Sequence, residues 1–267
     1  MIAQNTKQDN AFFTSKTLKS IELITLKSSP LFWLTSCEEK EKFLSHLDQL
    51  DKDSSNKIVI LCGLNKSLGK EGFWNMFDSW SKSEICTSTI LKICKALDQI
   101  ELKINESPKI FISVQSGKVT FPFFSLSLAC DYRIIASNYI VQNPEPIAGL
   151  VPKGGGAFFL SQKLGTSSAF DLMLARKDLT AYELLRLKLV DKVVEFNKLL
   201  HEAIEKARDF ASKPFTSLSG VKRLVNCSSE RLGNYLELEN DELLRALNVL
   251  KPDDKDTFYG LRQYKSE

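Results

Sequence analysis

Two rhythms of apolar and polar positions divide this chain. In the first half, short apolar runs alternate with longer stretches of helical spacing. Ile21–Leu26 (IELITL), Leu31–Leu34 (LFWL), Ile58–Cys62 (IVILC) and Ile110–Val114 read as strands. Ile58–Cys62 is wholly apolar, as in a sheet covered on both faces, and Ile110–Val114 reads as another buried strand. Between them, Ser36 and Glu39 make a capping box for a helix through Phe43, Leu44, Leu47 and Leu50, and a second helix is predicted near Thr89–Ile100. Strand, helix, strand, helix, strand is the order of an α/β fold.

After Val151 helices dominate. They are predicted over Gly156–Leu164, Ser168–Leu174, Thr180–Leu187, Leu199–Phe210, Thr216–Asn226 and Glu230–Leu247. Thr180 and Glu183 form a capping box, and Leu232, Leu236, Leu243 and Leu247 form one apolar stripe. The organisation expected is a flexible or edge-pairing leader over residues 1–18, an α/β core over 19–195 and a helical C-terminal region over 196–267. The stripe suits subunit packing and intrachain burial equally.

Composition narrows the function classes. Net charge is +3, from 36 basic and 33 acidic residues, which argues against nucleic-acid binding through a strong basic field. Six cysteines contain no CxxC pair and there are two histidines, His46 and His201, so no zinc or other metal site is expected. The first twenty residues are polar and no apolar run is long enough to span a bilayer, so a cytoplasmic, reducing setting without membrane attachment is the expectation.

The motifs carry more. Strand Ile58–Gly63 is followed by Gly72 in a GKEGF loop. Val114-Gln115-Ser116-Gly117 precedes Cys130-Asp131; Asn143-Pro144-Glu145 precedes Gly149 and then Pro152-Lys153-Gly154-Gly155-Gly156. Leu189–Val194 (LVDKVV) and an acidic C-terminal stretch ending in Phe258 and Arg262 complete the series. In order and spacing this resembles the crotonase family (enoyl-CoA hydratase/isomerase superfamily) over roughly residues 20–265. The resemblance implies a ββα superhelix core, an acyl-CoA or related thioester substrate, coenzyme A as part of that substrate with no separate cofactor, and a homotrimer or dimer of trimers.

It also implies site residues. Glu145 matches the family's acid/base carboxylate. Gly72 matches a donor of the oxyanion hole, the pair of N–H groups that polarises the thioester carbonyl and stabilises an enolate. Pro122 stands where the family has the glycine that supplies the second donor, and proline has no N–H; Phe123 N–H is the substitute if the loop is shifted by one residue. Ser125 stands where hydratases carry a second glutamate, and serine without an activator is a poor base. Phe73 and Trp74, with Met76, Phe77 and Trp80, read either as an acyl-pocket wall or as core. Lys66, Lys70 and Lys153 are candidate cations for CoA phosphates. Gly154–Gly156 either cradles an anion or opens a helix.

These residues favour an isomerase using one carboxylate over a hydratase. Two other readings stay open: a non-catalytic binding or scaffold subunit, and a hydratase, lyase or hydrolase acting on a carrier-bound or non-CoA substrate.

Overall fold

The computed structural model describes residues 5–9, 12–27, 37–63, 69–82, 86–175, 177–227 and 229–250. The expected strand at Leu31–Leu34, the capping serine Ser36, Lys66, Phe258 and Arg262 lie outside them.

Ten strands and ten α-helices are described. The strands are β1 Asn5–Asp9, β2 Phe13–Leu18, β3 Ile21–Leu26, β4 Ile58–Cys62, β5 Ile110–Gln115, β6 Lys118–Thr120, β7 Tyr132–Ala136, β8 Ile140–Gln142, β9 Leu179–Thr180 and β10 Lys192–Val194. The helices are α1 Cys37–Lys52, α2 Lys70–Ser81, α3 Thr87–Glu106, α4 Phe121–Leu128, α5 Gly156–Leu164, α6 Thr166–Leu174, α7 Ala181–Arg186, α8 Leu199–Ala211, α9 Phe215–Val225 and α10 Ser229–Leu250. The main sheet runs β1-β2-β3-β4-β5-β7-β10, and a smaller one runs β6-β8-β9. β3, β4, β5, β7 and β10 are parallel; the β1–β2–β3 meander forms the antiparallel edge, so the described leader residues pair with the sheet. β5–β6–α4 and β7–β8–α5 are successive turns of a strand–strand–helix superhelix.

Side-chain alternation explains the burial of both faces of the central strands. Ile58, Ile60, Ile110, Ile112 and Ile134 face one cluster with Leu199, Ala203 and Ala207 of α8. Val59, Leu61, Phe111 and Ile135 face the other, which holds Ile93, Leu97, Ile100 and Ile104 of α3. α8 therefore covers one face of the sheet and belongs to the core. Leu232, Leu236, Leu243 and Leu247 of α10 are all buried within the chain, and the Thr180–Glu183 capping box is present at α7.

Two short elements position the site. β6 leads directly into α4, and β8 leads into the Asn143-Pro144-Glu145 turn. Parallel pairing of β6 with β8 sets Thr120 opposite Gln142. The N-terminus of α2 is tied to the same place, because Lys70 N–H donates to Gln142 Oε1 at 3.0 Å.

Candidate active site

Glu145 lies in a tight turn. Asn143 Nδ2 donates to the carbonyls of Met173 at 2.8 Å and Ala175 at 3.0 Å, anchoring the turn to the end of α6. Leu150 N–H donates back to Glu145 O at 2.9 Å and Ala148 N–H to Pro144 O at 3.1 Å. Pro146 lies within this turn, its carbonyl accepting from Gly149 N–H at 3.2 Å. The Glu145 side chain is 4% exposed, and neither carboxyl oxygen has a hydrogen-bond partner. It enters a cavity of about 80 Å³ whose wall includes Phe73, Met76, Leu97, Thr120, Pro122 and Phe123. Burial pushes its pKa up to about 8, because an ionised carboxylate there loses water and gains no cation.

The phenylalanines around Pro122 divide by face. Phe121 and Phe124 turn into the core, their ring centroids 5.9 Å apart, and both are fully buried. Phe123 and Pro122 line the cavity. Pro122 is the second residue of α4, where a helix tolerates proline because the N–H has no intrahelical acceptor. Phe123 is the third, so its N–H is also free of the helix ladder. Gly72 holds the equivalent third position of α2, behind N-cap Gly69. Both helices contribute wall to the Glu145 cavity, so the positive ends of two helix dipoles meet this region.

Other expected site residues fall elsewhere. Trp74 packs against Phe73 and Phe77, at 5.1 and 5.7 Å between ring centroids, in a cluster with Trp80, Ile90, Leu243 and Leu247. The aromatic run is thus core along one side, with Phe73 and Met76 reaching the cavity. Ser125 is fully buried with an unpartnered Oγ, and it packs behind the wall against Gly154 and Gly156. Lys70 and Lys153, the described lysines expected for CoA phosphates, each have carboxylate partners in the structure. Lys70 pairs with Asp178 at 3.0 Å, and Lys153 is buried between Glu239 at 3.2 Å and Asp98 at 3.6 Å.

The Gly154–Gly156 turn does cradle an anion, and the anion is internal. Glu239 Oε2 accepts from Lys153 Nζ at 3.2 Å and from the Gly154 and Gly155 N–H groups at 3.1 Å each. Gly154 has φ +91°, and a Cβ there would lie 3.0 Å from Glu101 Oε1 and 3.1 Å from Ser125 Cβ. Glu101 is wholly buried with both oxygens unpartnered; burial, then the nearby Asp98 and Glu239, hold its carboxyl well above the usual range. Burial also raises Asp98 and Glu239, opposed by Lys153.

Sequence reasoning missed this quartet of Asp98, Glu101, Lys153 and Glu239. A signal existed: Glu101 continues the buried row Ile93–Leu97 at four-residue spacing, an acid on the apolar face of α3.

Comparison with known proteins agrees with the motif order. The family model described as Enoyl-CoA hydratase/isomerase matches residues 19–251. A short-chain-enoyl-CoA hydratase of Clostridium acetobutylicum is 27% identical over 180 residues, 67% of each chain. A probable mitochondrial enoyl-CoA hydratase of Dictyostelium discoideum is 35% identical over 105 residues, 39% of this chain and 38% of its own length. Among solved structures, an enoyl-CoA hydratase from Bacillus halodurans superposes with TM-score 0.78 at 20% identity, covering 95% of this chain and all of that one. Pseudomonas aeruginosa DspI superposes with TM-score 0.71 at 21% identity over 97% of this chain and 95% of its own. At such identities these two likenesses speak for the fold. With the fold, the ordered motifs and a family model spanning 19–251 in agreement, the chain belongs to the enoyl-CoA hydratase/isomerase family.

Proposed function

We propose that this protein binds an acyl-CoA or related thioester and shifts its double bond, using Glu145 as the single proton carrier. The observation that carries the reading is the Glu145 carboxyl, buried, unpartnered and raised to about 8 inside an apolar cavity. A base in that range is matched to proton abstraction next to a thioester near neutral pH.

In this reading the thioester oxygen sits between Gly72 N–H and Phe123 N–H, at the two helix N-termini. Glu145 removes a proton from C2 of a 3-enoyl thioester, and the electron pair delocalises onto the carbonyl oxygen as a dienolate. The same proton returns to C4, giving the 2-enoyl product and restoring the carboxylate. Hydration by the two-carboxylate route needs a second carboxylate to hold the water, and Ser125 supplies none. Phe73, Met76 and Phe123 hold the acyl chain; Trp74 supports Phe73.

Turnover of 3-enoyl-CoA and 2-enoyl-CoA tests the reading. Isomerisation of the first is expected to exceed water addition to the second by about a hundredfold, and Glu145→Gln is expected to lower isomerisation by about 10²–10⁴-fold. Unchanged activity in that variant overturns the role. Pro122 favours a second reading, a thioester-binding subunit without catalysis, since one oxyanion donor is absent at that position. Thioester binding with no turnover of either substrate decides for it.

A further inference from the structure

The Glu145 cavity ends at a charged partition. Its wall holds Ile90, Ile93, Cys94 and Leu97 from α3, Leu243 from α10, and Lys153. On the far side of the α3–α10 seam lies a hollow of about 490 Å³. It is lined by Leu91, Lys95, Asp98, Leu102, Asn240 and Leu244, among others. Asp98 Oδ2 accepts from Asn240 Nδ2 at 2.8 Å across the seam, and Asp98 Oδ1 stands 3.6 Å from Lys153 Nζ. Lys153 thus faces the inner cavity while its partner Asp98 lines the outer hollow. A few side chains separate about 80 Å³ from about 490 Å³.

Resting on the thioester reading above, we infer that Lys153, Asp98, Glu239 and Asn240 form a fixed end wall that restricts the acyl group to short, uncharged chains. The inner volume is about half that of the ~150 Å³ apolar cavity known to take a benzene ring, so it suits about three or four carbons. A longer chain that runs along the α3 side of the cavity, past Cys94 and Lys153, meets the seam. Passing it means parting a hydrogen bond and an ion pair that are both buried, which leaves desolvated charge without a partner.

Charge selects as well as length. Lys153 is already flanked by two carboxylates, with Glu101 and Ser125 behind the same turn. An acyl chain ending in a carboxylate meets two carboxyl groups that already share Lys153.

Affinity across a chain-length series tests the wall without reference to catalysis. Butanoyl-, hexanoyl- and decanoyl-CoA are titrated calorimetrically into the wild-type protein and into Asp98→Ala/Asn240→Ala. That variant opens the seam and leaves Lys153 with Glu239. Wild type is expected to bind butanoyl-CoA at least about tenfold more tightly than decanoyl-CoA, since each methylene gained or lost in an apolar pocket changes affinity several-fold. The double variant is expected to erase that ratio while holding butanoyl-CoA within about twofold. Asn240→Ala alone, read the same way, covers the case in which the double variant does not fold.

An unchanged chain-length profile in the variants, or equal wild-type affinity for butanoyl- and decanoyl-CoA, overturns the wall. Failure of all three thioesters to bind wild type overturns the wall together with the thioester reading. Binding with the expected length dependence but without double-bond shift supports the wall and overturns the isomerase alone.

Discussion

Glu145 and Glu239 are both glutamates, 4% and 3% exposed, one lining the small cavity and the other bonded to Lys153 of its wall, yet their partners differ. Glu239 Oε2 accepts from an ammonium and two backbone N–H groups. Glu145 has no hydrogen-bond partner at either oxygen. A buried carboxyl with one oxygen held by three fixed donors is a structural clamp, joining α10 to the turn that follows the active-site loop, even though its Oε1 has no partner. A buried carboxyl left bare keeps its affinity for a proton and is free to move one. Burial raises both groups; the partner set decides which can do chemistry.

Exchanging amide for acid at each position is the sharpest way to break the comparison. Glu145→Gln is expected to lower isomerisation by about 10²–10⁴-fold with the fold intact, by kinetics and circular dichroism. The pH dependence of stability follows the same group. Glu145 has a folded pKa of about 8, above the ordinary carboxylate value, so the folded state holds the extra proton. Its contribution is complete below about pH 4.3 and is lost as pH rises through about 8. Between pH 4.5 and 9, wild type should therefore lose on the order of 3–5 kcal/mol relative to Glu145→Gln in denaturant unfolding.

Glu239→Ala is expected to cost about 3 kcal/mol in unfolding free energy at neutral pH, because it strips Lys153 and two buried N–H groups of their acceptor. Pro122→Ala restores an N–H at the second position of α4 and is expected to raise isomerisation about tenfold, read as kcat. Ser125→Ala removes a hydroxyl that has no partner, and should change stability by less than about 0.5 kcal/mol and activity by less than about twofold. A large effect there would mean that Ser125 takes part in the reaction after all.

Much of the scaffold was legible in the chain. β3 and β4 run over Ile21–Leu26 and Ile58–Cys62 as expected, and β4 is a continuous apolar run because both its faces are buried. α5 spans Gly156–Leu164 as expected, and the α10 stripe is buried. Helix α2 was less visible as a helix. Phe73, Met76, Phe77 and Trp80 have helical spacing, but they sit amid so many other aromatics that they read first as a cluster. Strands β6 and β8 have three residues each, too few to show a period, yet β6 gives Thr120 to the cavity wall and β8 leads into the Glu145 turn.

The site divides the same way. Glu145 was found through its motif, because the motif encodes a local turn. The end wall was not, because Glu239 meets Gly154 from 85 positions away and no local pattern encodes that meeting. Pro122 announced a missing donor. Only the backbone reveals that the residue sits at a helix start, where its neighbour Phe123 still has a free N–H.

The central claim is that Glu145 moves a proton at C2 of a bound thioester. Exchange of the C2 hydrogens of butanoyl-CoA with deuterated solvent, followed by proton NMR in the presence of wild type and Glu145→Gln, tests it without needing a double bond. The account predicts exchange by wild type that rises with pH to a plateau above about 8, and a rate at least about a hundredfold lower in the variant. Equal rates in the two proteins, or bound butanoyl-CoA with no exchange in wild type, would contradict it.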